Sequence, residues 1–296
     1  MLRRSVWAFT ALLAMLLLAA CGGAETRTTG VSSDTSAGAA HQPRIVSLSP
    51  TATESRFAIG AGDEVVAVDD QSNYPAAAPH TKLSGYEPNL EAIARYEPDL
   101  VVASFDPGGL VKGLKKLGVR VLLQPAAKNL SDAYAQIEAL GVETGHADGA
   151  KRVIADMRAR IAQLTQSASL PTGVRVYHEI SPDYYSATSK TFIGSIYRRL
   201  GARNIADQAG GKAPDYPQLS AEYIVSSDPD LIVLSDTKCC GQTPEKVAHR
   251  PGWSGIAAVR NGNVVPVDDD IASRWGPRTV QFVEIVARAL AAANAR

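Results

Sequence analysis

Three cysteines, five histidines and no excess of either charge are the first constraints on this 296-residue chain. Lysine and arginine number 30, and so do aspartate and glutamate; zero formal net charge leaves no electrostatic footprint for nucleic acid or an acidic surface. After the first twenty residues no apolar run approaches the roughly 20 residues needed to span a bilayer, which places the body of the chain outside the membrane. His41, His80, His146, His178 and His249 are scattered, with none of the pair spacings that signal zinc. His178, at a strand end, is the best single candidate for an axial ligand, although a core or solvated histidine fits that position better. There is no Gly-x-Ser-x-Gly, no phosphate-cradling glycine loop and no dinucleotide fingerprint, and Gly252-Trp-Ser-Gly255 has the wrong spacing for a nucleophile elbow. Nothing in these features asks for an enzyme, and no cofactor or metal is expected.

What is present begins with a leader. Arg3-Arg4 precedes an apolar run from Val6 to Ala19, and Leu18-Ala19-Ala20-Cys21 follows. A basic start, a short apolar core and small residues at the end make a secretory signal over residues 1–20. Its ending resembles the lipobox of bacterial lipoproteins, which implies cleavage before Cys21 and acyl chains on that residue, an anchor to the cell membrane. Residues 21–42 are Gly, Ala, Ser and Thr with scattered charge, a flexible tether. With Cys21 modified, Cys239 and Cys240 have only each other in an oxidising compartment. Either they close a vicinal disulfide or they remain reduced.

The folded part repeats itself. Asn89-Leu-Glu-Ala-Ile-Ala-Arg-Tyr-Glu-Pro-Asp-Leu-Val-Val-Ala-Ser104 and Gln218-Leu-Ser-Ala-Glu-Tyr-Ile-Val-Ser-Ser-Asp-Pro-Asp-Leu-Ile-Val-Leu-Ser235 each read as a short helix, an acidic-Pro-Asp turn and a buried strand. Between them, His146–Ser167 carries Ala150, Val153, Ile154, Met157, Ile161 and Leu164 at helical spacing, a rod about 33 Å long that Leu170-Pro171 stops. Strands are expected at 44–48, 64–68, 100–104, 119–123, 174–180, 231–234 and 263–267. Helices are expected from Pro50 to Gly60, with Glu54 supporting the helix start, and at 90–96, 109–117, 192–200 and from Pro277 onward. Alternation at this spacing predicts mostly parallel sheets whose ligand sites lie beyond the strands' carboxyl ends, near Ser49, the Asp69–Tyr74 loop, Tyr86 and Phe105.

Arg44-Ile-Val-Ser-Leu-Ser-Pro, Thr53-Glu54, Ile59-Gly60, Asn73-Tyr74-Pro75, Asn89-Leu90-Glu91 and Pro98-Asp99-Leu100 together resemble the extracytoplasmic substrate-binding proteins of ABC importers for cobalamin, haem and ferric siderophores, most nearly the cobalamin branch. The likeness runs from Arg44 to the C-terminus; Gly201-Ala-Arg-Asn-Ile205 keeps the family's Gly-Gly-x-Asn-Ile segment with Ala202 for the second glycine. It implies an α/β protein of two small Rossmann-like lobes, residues 43–145 and 168–296, joined by one long interlobe helix at 146–167 with ligand in the cleft between them. It also implies ligand contacts at Tyr86, Ser104, Phe105, Tyr185, Tyr216, Asp270, Arg274 and Trp275, and docking of Glu91 and Glu222 onto arginines of a permease served by an ATPase. Tyr184-Tyr185 suggests a flat wall, and Arg274 is expected to pair either with Asp270 or with an acidic group of the ligand. Tyr86 and Tyr216 stand where cobalamin binders carry tryptophan, so haem or a ferric siderophore is the alternative cargo of a monomeric carrier. A surface sensor that kept the fold and lost transport is a reading from another class.

Overall fold

The computed structural model describes residues 42–166, 172–209 and 214–294. The leader, Cys21, the tether up to residue 41, Ser167 and the Leu170-Pro171 stop lie outside the described residues. No described helix is long and apolar enough to cross a membrane.

The first lobe runs β1 (Ile45–Leu48), α1 (Pro50–Ile59), β2 (Val65–Val68), α2 (Leu90–Ala94), β3 (Leu100–Ala103), α3 (Leu110–Lys116), β4 (Arg120–Leu123) and α4 (Leu130–Glu143). Helix α5 (Ala147–Gln166) leads into the second lobe. That lobe runs β5 (Arg175–Glu179), α6 (Phe192–Arg199), β6 (Arg203–Asn204), α7 (Ala221–Ser227), β7 (Leu231–Leu234), α8 (Thr237–Cys240), α9 (Pro244–Ala248), α10 (Ala257–Arg260), β8 (Val264–Pro266), α11 (Asp269–Ser273) and α12 (Thr279–Asn294). Each lobe is built on a four-stranded parallel sheet, ordered β2-β1-β3-β4 in the first and β6-β5-β7-β8 in the second. Both therefore place their second strand outside their first and add the third and fourth on the other side. The echo in the sequence is an echo in topology.

The repeated Pro-Asp-Leu turn has a physical cause. In the first lobe the Asp99 carboxylate accepts the backbone N–H of Arg44 at 2.8 Å, and in the second Asp230 accepts that of Arg175 at 2.9 Å. The partners are 55 residues apart in both cases. Each arginine side chain then reaches a carbonyl at the end of its short helix, Tyr96 O from Arg44 and Ser227 O from Arg175. Glu97 and Asp228, at φ +46° and +43°, turn the chain out of those helices. One turn thus stitches the third strand of a lobe to the start of its first.

The helices begin where capping chemistry is present. Ser49 Oγ accepts from Ala52 N with Pro50 in the first helical position, Asn89 caps α2, Asn129 caps α4 and Ser220 caps α7. Helix α4 has no counterpart among the sequence expectations, although Leu130, Ala133, Tyr134, Ile137 and Leu140 bury one face of it at helical spacing. Glu54 also departs from expectation. It lies beyond the first turn of α1, is 3% exposed, and serves ion pairs with the other lobe instead of the helix start.

One hydrophobic cluster takes in the inner faces of both sheets together with α4, α5 and α12, while Val46, Ile93 and Val101 on one outer face and Tyr177, Ile232 and Trp253 on the other anchor satellite clusters. Helix α5 contributes Gly149, Ala150, Met157 and Ile161 to the centre. Gly149 is required there because a Cβ would collide with the carbonyl of Ile59 where α1 crosses α5. Val153, Ile154 and Leu164 pack at its margin. A continuous core under both lobes resists large hinging.

Candidate interlobe ligand cleft

Beyond the carboxyl ends of the strands the two lobes face one another across a cleft with two chambers. The first, of about 490 Å³, is lined from the first lobe by Ser49, Asp69, Gly85, Tyr86, Ser104 and Phe105, and from the second by Asp270, Arg274 and Trp275. The second, of about 420 Å³, is lined by Ala127, Ile180, Tyr185, Phe192, Tyr216 and Trp275. Trp275, Ala126 and Ser273 border both. All eight residues expected to contact ligand are therefore brought to this cleft, which is large enough for a drug-sized ligand in either chamber.

Both chambers carry large aromatic rings, Tyr86, Phe105 and Trp275 in the first and Tyr185, Phe192, Tyr216 and Trp275 in the second. Tyr86 is 69% exposed and stacks obliquely on Phe105, ring centroids 5.5 Å apart; Tyr185 and Tyr216 are 42% and 48% exposed. Exposed rings of this size bury a large area once a flat ligand covers them. The adjacent tyrosines separate. Tyr184, at φ +66°, stacks near-parallel on Trp253 with centroids 5.7 Å apart and under Arg250, so Tyr185 alone faces the cleft.

Arg274 does not present a free charge to a ligand. It is 7% exposed and donates to Glu54 Oε1 at 2.8 Å, Asn73 Oδ1 at 2.9 Å, the Gln71 carbonyl at 2.9 Å and Asp270 Oδ1 at 2.6 Å. Of the two expected partners it takes Asp270, and its place is a tie between lobes. Arg278 adds bonds to both Glu54 oxygens, Asn73 Nδ2 donates to Asp270 at 2.9 Å, and Trp275 Nε1 donates to Gln136 Oε1 at 2.7 Å. Burial works against the Asp270 charge, but Lys238, Asn73 and Arg274 together hold its carboxyl below the usual range.

The strand-end positions expected near ligand, Ser49 and the start of the Asp69–Tyr74 loop, do line the cleft. Asp69 is 3% exposed; burial pushes its carboxyl up to about 6 against the stabilising hydrogen bond from Ser72. A buried chain of hydroxyls, Ser47, Thr53 and Ser72, supports it from behind. Ser104 Oγ donates to Ser49 Oγ at 2.8 Å on the same floor. The strand-end loop places Asp69 from sequence, whereas the hydroxyl chain behind it has no local signal.

Behind the second lobe's wall, a disulfide joins Cys239 to Cys240 in α8. The Asp269 carboxylate closes the front of α8 by accepting from the backbone N–H groups of Thr237, Lys238 and Cys239, and Lys238 Nζ bridges Asp268 and Asp270 at 2.7 and 2.8 Å. Neither cysteine lines either chamber of the cleft. His178 is fully buried, with Nδ1 2.7 Å from the Tyr197 hydroxyl and Nε2 3.0 Å from Ser235 Oγ. Burial pushes its imidazole down to about 3, so it is a neutral core residue and is closed to axial ligation. Among the described residues no group of three or more acidic, histidine or cysteine side chains is placed to hold a metal.

Asp236, at the start of α8, is 0% exposed, and neither carboxylate oxygen meets a donor. Its neighbours are Glu179, held by two 2.6 Å bonds from Arg250, and the buried Tyr177 hydroxyl. Burial first, then the Glu179 charge, raises the Asp236 carboxyl to about 7. A folded-state value above the unfolded one means that the folded protein holds the extra proton between about 4 and 7, and stability falls as pH rises through that window. Thermal unfolding should therefore lose roughly 2 to 4 kcal/mol from this group between pH 4 and 7.5. Asp236→Asn should flatten that part of the profile; an unchanged slope would show that another group carries it.

Two parallel-sheet lobes joined through a common core, with a lined cleft between them, define a bilobal α/β protein of the ligand-binding class. The comparisons agree. The family model described as periplasmic binding protein matches residues 45–271. An ABC transporter substrate-binding lipoprotein of Bacillus subtilis, YvrC, is 33% identical over 258 residues, 83% of this chain and 79% of that one. A cobalamin-binding protein of Halobacterium salinarum is 32% identical over 255 residues, 83% of this chain and 69% of its own. The crystal structure of the periplasmic vitamin B12 binding protein BtuF of Vibrio cholerae superposes with a TM-score of 0.72 at 27% identity, covering 86% of this chain and 98% of that one. The chain belongs to the periplasmic binding protein family, whose members compared here are substrate-binding proteins and not enzymes.

Proposed function

We propose that this protein is the substrate-binding component of an ABC importer, that it captures a cobalamin-like corrinoid in the interlobe cleft, and that it hands the ligand to a membrane permease driven by its ATPase. The observation that carries the ligand assignment is the set of exposed aromatics, Tyr86, Phe105, Tyr185 and Tyr216, in a cleft that also holds hydroxyl and carboxylate groups. A corrinoid offers a broad flat body to such rings and amides to Ser49, Ser104 and Asp69. Relatives named for cobalamin or vitamin B12 support the same choice. Acyl chains on Cys21 would tether a monomer to the outer face of the cell membrane, with the tether giving it reach. Glu91 and Glu222, both exposed in the second position of α2 and α7, are the docking contacts in this reading.

Absorbance and fluorescence titration with cyanocobalamin, hemin and a ferric siderophore tests the assignment. Saturable one-to-one binding of cyanocobalamin is expected, weakened about tenfold or more by Tyr86→Ala with Tyr216→Ala, from the loss of two aromatic contacts of roughly 1 kcal/mol each beyond area. Preferential binding of hemin or of the siderophore would replace the corrinoid and leave the carrier role standing.

A further inference from the structure

A cavity of about 630 Å³, larger than either chamber of the cleft, lies outside it where α1, α5 and the start of α12 meet the Tyr74-Pro75 turn. Its apolar lining comes from Phe57 and Ala58 of α1, Val153 and Met157 of α5, and Pro75 and Pro277. Its charged lining has three arginines against two carboxylates, a net excess of one positive charge. Arg152, Asp156 and Arg160 form one stripe along α5, a turn apart, and Arg278 closes the groove from the second lobe.

The charges do not cancel within it. Glu54, the one buried carboxylate of the lining, is bonded by both Arg274 and Arg278. Asp156 stands 3.8 Å from Arg160, too long for a strong pair, and both are at least half exposed. Arg152 makes no ion pair among the described residues. Three guanidinium groups thus face two carboxylates, one of them buried in the interlobe tie. Arg278 is positioned by Glu54 on one side and by the face of Tyr74, 4.2 Å from its centroid, on the other. An apolar floor with arginines on its rim suits a ligand with a flat or compact apolar body and one carboxylate or sulfonate, since guanidinium groups pair with such anions in two-point geometry.

We infer that this groove is a second ligand site, separate from the transport cleft, for a small soluble amphipathic anion. An occupant would touch α5 and both lobes at once, and Arg278 would connect it to Arg274 and the cleft wall through their common partner Glu54. The site does not depend on the identity of the cleft ligand.

The probe is anilinonaphthalenesulfonate, an aromatic sulfonate whose emission rises in apolar surroundings, titrated into the purified protein. One saturable site is expected. Arg152→Glu with Arg160→Glu should weaken it by tenfold or more, and Ala58→Trp, which fills the groove without changing charge, should weaken it comparably. Lys116→Glu with Lys128→Glu changes the net charge by the same amount on the exposed surface of the first lobe and should leave binding within twofold. Tyr86→Ala with Tyr216→Ala, in the cleft, should also leave it unchanged. Retention of wild-type affinity in both groove variants overturns the assignment. So does equal loss in the lysine variant, which would mean general charge attraction, or loss in the cleft variant, which would mean that the probe sits there. Should the double arginine reversal not fold by circular dichroism, Arg152→Gln with Arg160→Gln and Ala58→Trp carry the test.

Discussion

Glu54→Ala should lower the thermal unfolding midpoint by roughly 10 °C. The carboxylate is 1% exposed at its side chain and accepts from Arg274 Nη1 and Arg278 Nε, each at 2.8 Å, with a further bond from Arg278 Nη2. Arg274 keeps its 2.6 Å bond to Asp270, but Arg278, only 13% exposed, loses its carboxylate partner. Breaking a buried pair in this way costs about 3 to 5 kcal/mol, because the remaining charges keep their desolvation penalty without their partner. For a domain of this size each kcal/mol moves the midpoint by about 2 to 4 °C. Glu54→Gln, which keeps an acceptor and loses the charge, should fall between wild type and Glu54→Ala. Replacing Glu54, Arg274 and Arg278 together with apolar residues should recover much of the loss, since no buried charge is then left unpaired. The measurement is differential scanning calorimetry at neutral pH. A shift below about 2 °C for Glu54→Ala would show that the tie sets the lobes' register without stabilising the fold.

That tie marks the boundary of what the amino-acid order discloses. The repeated helix-turn-strand was visible because its parts are local: a capping Asn89 or Ser220, an exposed glutamate, a Pro-Asp-Leu turn and an apolar strand within sixteen to eighteen residues. The bond that gives the turn its purpose spans 55 residues and was not visible, although both of its ends are ordinary charged residues in plain view. The Glu54–Arg274 pair spans 220 residues. From the sequence Glu54 looks like one more carboxylate near a helix start, because local rules score it before any distant partner can. For Arg274 the sequence offers Asp270, four residues away, as a partner, and that pair forms; the Glu54 partner 220 residues away has no local signal. Tyr184 and Tyr185 show a finer limit: a left-handed φ at Tyr184 sends one ring onto Trp253 and leaves the other to the cleft, and no periodicity encodes that choice. The aromatic cleft residues were placed by family likeness, and the structure brings them to one crevice. Helix α4 differs from these. Its Leu130, Ala133, Tyr134, Ile137 and Leu140 spacing behind the cap Asn129 is a purely local signal, legible in the sequence.

Charge reversal at both proposed docking positions, Glu91→Arg with Glu222→Arg, should abolish uptake while leaving ligand binding within twofold of wild type. The two glutamates follow the first residue of α2 and α7, behind the caps Asn89 and Ser220, in the same place on each lobe's repeated unit. Their exposure keeps both free to meet a partner. Glu222 is further held below the usual carboxylate range by its own backbone N–H and by Ser220. The continuous core beneath both lobes fixes the separation of the two charges, and a fixed pair selects register in a way that a single charge on a flexible loop does not. If the proposed docking contacts are to basic permease residues, reversal replaces two attractions by two repulsions, and transport should drop to less than about a hundredth of the wild-type rate. Each single reversal should give an intermediate rate, with a stronger dependence on salt than wild type because the remaining contact is a rim charge. Neither substitution touches the cleft, so cyanocobalamin titration of the purified variants serves as the control for folding and capture. Uptake of labelled cyanocobalamin by cells carrying the double variant at wild-type rate would remove Glu91 and Glu222 from docking and move the permease contact to another surface.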